Sequence, residues 1–94
     1  MNGLVFEWDP KKSQINKQKH GITFEEAQTV FVDENAVRYF DPEHSDEEDR
    51  FLMLGLSVAL KVLVVCHCLK ESDTVIRIIS ARKASKREQL VYGR

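Results

Sequence analysis

Glycine and proline are scarce in this sequence, four and two in 94 residues, which excludes collagen-like and low-complexity chains. No apolar run approaches the roughly 20 residues that a membrane-spanning helix needs. The first residues, MNGLVFEWD, lack a positive n-region and a long apolar stretch, so no signal peptide is expected and the expected compartment is the cytoplasm. There is no Walker loop, no HExxH and no paired-cysteine motif, and no cofactor or metal is expected. The two cysteines, Cys66 and Cys68, lie in VLVVCHCLK. On a strand they share one face two residues apart, a poor disulfide geometry, and they read as small buried apolar side chains. His67 between them points to the other face and reads as a core histidine.

What remains is a single domain over residues 1–94, 43% hydrophobic and 31% charged, with a core that is thin for its surface. The net charge of −1 conceals a segregation. DPEHSDEED, residues 41–49, holds six acids and no lysine or arginine, so the rest of the chain carries 14 basic and 9 acidic residues. From Arg77 onward six basic residues face one acid, Glu88. A basic end of this kind suits either a polyanion site or a solvated helix face. The acidic segment reads as a loop, with His44 at its surface. It could also screen the basic face or meet a basic partner.

LVFEW, residues 4–8, predicts a short strand. Asp9-Pro10 starts a helix that ends at His20, with Gly21 just past it. Thr23 with Glu26 opens a second helix, whose Phe24, Ala27, Val30 and Phe31 face the core. Strands are expected at 36–40, 51–59, 61–69 and 74–82, joined by short links that favour antiparallel pairing. Ser85 with Glu88 is a capping box that opens a terminal helix. The order β-α-α-β-β-β-β-α makes an α+β fold, a largely antiparallel sheet packed by helices.

Three places carry candidate chemistry. Asn16, Lys19 and His20 share a helix face. The helix dipole favours cations there, and a histidine beside a fixed positive charge also suits proton transfer. In TVIRIISAR, strict alternation puts Arg77 with Val75, Ile79 and Ala81, among apolar neighbours. There it needs either an ion pair, with Glu7, Asp9 or Glu26, or a ligand. Arg82 ends that strand, and Lys83, Lys86, Arg87 and Tyr92 follow, basic groups near a ring that could hold phosphates and stack a base.

FEWDPKKSQINKQKHGITFEEAQTVF, the D-P-x-H-S segment, RFLMLG and RIISARKASKREQLVY together resemble the BrnT family, toxins of type II toxin–antitoxin systems, over residues 5–92. The resemblance implies a RelE-like fold and RNA cleavage that inhibits translation. It implies neutralisation by a BrnA-like ribbon-helix-helix antitoxin, and operator DNA binding only through that complex. Its family positions fall on Lys19, His20, Arg50, Arg77, Arg82, Arg87, Glu88 and Tyr92. The expected catalytic set is Lys19, His20, Arg77, Arg82 and Tyr92, with Arg50, Lys86 and Arg87 on the RNA. The alternative is a non-catalytic module that binds RNA or the antitoxin.

Overall fold

The computed structural model describes residues 3–93. Five strands form one sheet in the order β1-β5-β4-β3-β2. They are β1 (Val5–Glu7), β2 (Val37–Phe40), β3 (Phe51–Leu56), β4 (Val62–Lys70) and β5 (Val75–Lys83). Only the β1–β5 pair is parallel. Helices α1 (Pro10–His20) and α2 (Phe24–Gln28), the latter continued by a 3-10 turn, separate β1 from β2, and α3 (Lys86–Tyr92) closes the chain. The element order and the largely antiparallel sheet are those expected from the sequence. No helix among the described residues is long and apolar enough to cross a membrane.

One sheet face carries the main core: Ile22, Phe24, Ala27 and Val30 pack on Met53, Leu63, Val65, Ile76, Ile78 and Ala81. Trp8 and Phe24 meet edge to face at 5.9 Å. On the other face, Leu54, Val64 and Ala84 form a smaller cluster with Leu52, Val62 and Tyr92, beneath α3. His67 is fully buried on the first face, between Phe31 and Phe51, with Nδ1 3.1 Å from the Val65 carbonyl. Burial pushes its pKa down to about 4, so it is a neutral core residue at neutral pH. Both cysteines are buried and unpaired.

β3 ends at Leu56, three residues before the expected end, and β4 keeps its length but starts one residue later, because a turn over residues 57–61 takes the positions between them. Ser57 N–H donates to the Lys61 carbonyl, and Leu60 takes a left-handed φ of 62°. Glu26 completes only half of the expected capping box. Thr23 accepts its N–H, while its carboxylate accepts from the Ser57 hydroxyl at 2.7 Å and tethers this turn to α2.

Strict alternation along β5 fails. Cys66 pairs with Ser80 and His67 with Ile78, so Ile79 is an extra residue and the register shifts there. Past this bulge the faces exchange. Ala81 joins Ile76 and Ile78 in the main core, and Arg82 falls on the same open face as Arg77 rather than opposite it. Arg77 is therefore not enclosed by apolar groups. It lies opposite Glu7 in register and donates to its carboxylate at 2.9 Å, with about a third of its side chain exposed.

Because β1 pairs only with Val75–Arg77, the outer edge of β5 beyond the bulge has no strand beside it. Asn16 fills that place. Its Oδ1 accepts the Ala81 N–H at 3.0 Å, and its Nδ2 donates to the Ala81 carbonyl at 2.8 Å and the Ile22 carbonyl at 2.9 Å. A helix with Ile15 60% exposed has little apolar face to dock with, and this buried amide docks it instead. Asn16→Ala leaves the Ala81 N–H and carbonyl unpaired in a buried place. The expected loss is about 2–4 kcal/mol of unfolding free energy in a urea titration. A variant as stable as the parent would contradict this role.

Candidate nucleic-acid interface and active site

Docking α1 on the β5 edge sets its last turn beside the bulge. Asp9 caps the start by accepting the Lys11 N–H at 2.9 Å, and Gly21 ends the helix with a left-handed φ of 73°. Lys12, Ile15, Asn16, Lys19 and His20 then form one wall of a cleft of about 180 Å3, and Ile79 and Ser80 form the other. Lys12 was missing from the sequence-derived set, although its spacing of four from Asn16 gives it the same face.

Across Ile79 and Ser80 lies a second cleft, of about 310 Å3. Its walls include Asp41, Glu43, His44 and Arg50 from the acidic loop and Cys66 and Arg82 from the sheet. Lys19 and His20 thus do not share one cleft with Arg82. They occupy adjoining clefts, with the β5 bulge as the ridge between them.

Arg82 is held by Glu88 through two hydrogen bonds, Nη1 to Oε1 at 2.9 Å and Nη2 to Oε2 at 3.0 Å. Glu88 also accepts the Ser85 N–H at 2.8 Å, and Ser85 accepts the Glu88 N–H at 3.1 Å, the capping box read from the sequence. The Arg82 guanidinium holds the Glu88 carboxyl down at about 2. Arg82 keeps 44% of its side chain exposed, so its charge is oriented and still reachable. Lys86 and Arg87 lie exposed in the first turn of α3.

The acidic loop is built by Asp41 and Ser45. The Asp41 N–H donates to the Arg50 carbonyl at 2.9 Å and closes it. The Ser45 hydroxyl donates to the Asp41 carbonyl and accepts the Arg50 N–H at 2.9 Å. Arg50 reaches Glu48 at 3.8 Å, and Glu48 also meets Lys70 at the end of β4 at 3.6 Å, so part of the acidic charge is balanced locally. His44 Nδ1 lies 2.9 Å from Asp41 Oδ2. One ligand atom each of Asp41, Glu43 and His44 lies within 4.8 Å of the others, a grouping that could take a cation.

Two residues of the expected catalytic set lie elsewhere. Arg77 pairs with Glu7 and lines neither cleft. Tyr92 packs with Leu54 and Val64, and its hydroxyl donates to Asp33, which also accepts the Leu56 N–H at 2.8 Å. That link ties α3 to the sheet. Sequence reasoning missed Tyr39, which register sets opposite Leu52 on the open face. Burial and the nearby Glu88 charge push its phenol up, which marks it as a neighbour of the Arg82–Glu88 pair.

Comparison with known proteins identifies the family and the fold. Residues 8–88 match the family model described as the ribonuclease toxin, BrnT, of type II toxin–antitoxin systems. The chain belongs to the BrnT family. The crystal structure of the Brucella abortus ribonuclease toxin BrnT is similar to it with a TM-score of 0.64 and 24% identity, over 88% of this chain and 99% of that one. At that identity the likeness speaks for the fold. No curated protein matches the chain. As a BrnT toxin of a type II system, the protein has an antitoxin as its partner.

Two outcomes follow from the Arg82–Glu88 pair and Tyr92. Glu88 is ionised in the folded state down to about pH 2, against an ordinary value of 4.5. Its contribution to stability is therefore complete above about pH 4.5 and is lost as the pH falls toward 2. Glu88→Gln should melt below the parent at pH 7, and the gap should close over that acid range in calorimetry. Tyr92→Phe should lower stability by about 1 kcal/mol and leave the maximal rate of RNA cleavage intact. A variant with parental stability and lost cleavage would return Tyr92 to the active site.

Proposed function

We propose that this BrnT toxin cleaves RNA without a metal ion and so inhibits translation. A BrnA-like ribbon-helix-helix antitoxin is its partner, and operator DNA is engaged only through the complex. The observation that carries the reading is the pair of clefts that meet at Ile79 and Ser80, one bearing Lys12, Lys19 and His20, the other Arg50 and Arg82. An RNA backbone laid across the β5 bulge would meet cations and an imidazole on both sides.

The reaction needs three services: a base for the ribose 2′-hydroxyl, positive charge for the phosphorane, and an acid for the departing 5′-oxygen. Attack of the 2′-oxygen on the adjacent phosphorus breaks the P–O5′ bond. It leaves a 2′,3′-cyclic phosphate and a 5′-hydroxyl, with one proton taken up and one released. Lys19 or His20 serves as proton shuttle, and Arg82, oriented by Glu88, meets the phosphorane charge. Arg50, Lys86 and Arg87 hold flanking phosphates. Tyr39, on the same face as Arg82, can stack a base, the part first given to Tyr92. Arg77 supports the site by fixing β1 to β5.

The purified chain should cleave a labelled RNA in EDTA, and a BrnA-like antitoxin should stop it. Arg82→Ala and His20→Ala should each slow cleavage by about 100-fold or more. Lys86→Ala with Arg87→Ala should weaken binding and flatten its salt dependence. Cleavage lost in EDTA and restored by a divalent cation would overturn the metal-free reading. It would direct attention to Asp41, Glu43 and His44. Bound but intact RNA would identify a binding module.

A further inference from the structure

We infer that His44, oriented by Asp41, is the base that takes the 2′-hydroxyl proton, with the acid supplied from the Lys19–His20 cleft. The inference rests on the reading that RNA is cut across the β5 bulge. His44 was assigned to the surface from sequence, since it sits in a run of acids. Its position in the fold is more specific than that. It lines the same cleft as Arg82 and Arg50 and is separated from the His20 cleft by Ile79 and Ser80 alone.

The local geometry is that of an oriented imidazole. Nδ1 meets Asp41 Oδ2 at 2.9 Å, and the Asp41 side chain is only 12% exposed, so the carboxylate is fixed. A carboxylate there holds the proton of a neutral ring on Nδ1 and leaves Nε2 with its lone pair to accept one. The His44 side chain is 61% exposed, so Nε2 can reach a substrate. Asp41 itself is held by the loop closure with Arg50, and the Ser45 hydroxyl braces both. Arg50, from the same loop, brings a cation to the phosphate that the base must address.

The chemistry balances with the two clefts. Nε2 of His44 takes the 2′-hydroxyl proton as the 2′-oxygen bonds to phosphorus. The P–O5′ bond breaks, and a protonated Lys19 or His20 delivers the proton to the 5′-oxygen. Asp41 is a positioning residue that never touches the RNA.

The test uses the purified full chain and a labelled RNA oligonucleotide, then the same oligonucleotide with sulfur in place of the bridging 5′-oxygen at the mapped cut. Sulfur departs without a proton, so loss of the acid is masked on this substrate while loss of the base is not. His44→Gln should reduce the rate by about 100-fold or more on both substrates, and His20→Ala should recover on the sulfur substrate. Asp41→Asn should lower kcat with little change in KM. All three variants should melt near the parent. His44→Gln within threefold of the parent, with Arg82→Ala still impaired, would overturn the inference and leave the cleft reading standing. Recovery of His44→Gln on sulfur would overturn its role as base. Parental rates in both His44→Gln and Arg82→Ala would overturn the cleft reading as well.

Discussion

Three hydrogen bonds made by one buried amide, that of Asn16, tie α1 and the cleft it walls to the sheet. The constraint behind them is an edge. β1 is three residues long and covers only the first part of β5, which leaves the Ala81 backbone groups facing no strand. An unpaired N–H and carbonyl at that depth would be costly, and α1 offers almost no apolar face of its own. The amide of Asn16 resolves both deficits at one point. It completes the edge of β5 and anchors the helix. The anchor in turn fixes Lys12, Lys19 and His20 at the bulge.

The bulge is the second half of the same device. One extra residue in β5 exchanges the faces, so that Ala81 enters the core and Arg82 reaches the open face. An unbulged strand would present Arg82 opposite Arg77. With the shift, the open face holds the Glu7–Arg77 pair, Ser80, Arg82 and, across the sheet, Tyr39. Charge is arranged around that face by pairing rather than by excess. Glu88 fixes Arg82, and Glu48 lies between Arg50 and Lys70. The acidic loop is thus part of the wall of the Arg82 cleft and contributes both a cation and an imidazole to it.

Much of the framework was legible in local patterns. Asp9-Pro10, Gly21, Thr23 and the Ser85–Glu88 box mark helix ends through backbone groups one turn away, and the β-branched runs mark strands. The bulge had one local mark, the doubled Ile78-Ile79, which sets Arg77, Ser80 and Arg82 at spacings of three and then two, and strict alternation read through it. The extra residue is decided by pairing to β4, more than ten residues away. Arg77 was misjudged for the same reason, though Glu7 was among its expected partners. Lys12 could have been found by extending the spacing from Asn16. His44 was set aside because a histidine among acids looks solvated, and only the folded loop shows the cleft that it lines. Tyr92 was drawn in by family position, while its surroundings tie it to Asp33.

In the proposed reading, RNA lies across the β5 bulge at Ile79 and Ser80, between the two clefts. The most direct measurement is an amide chemical-shift map of the isotope-labelled chain with a 2′-O-methyl RNA, which cannot supply the attacking hydroxyl. The expected perturbations centre on Ile79, Ser80 and Arg82, with His20 on one side and His44 and Arg50 on the other. Perturbations confined to the outer strand β2 or the exposed side of α3, with the β5 bulge silent, would contradict it.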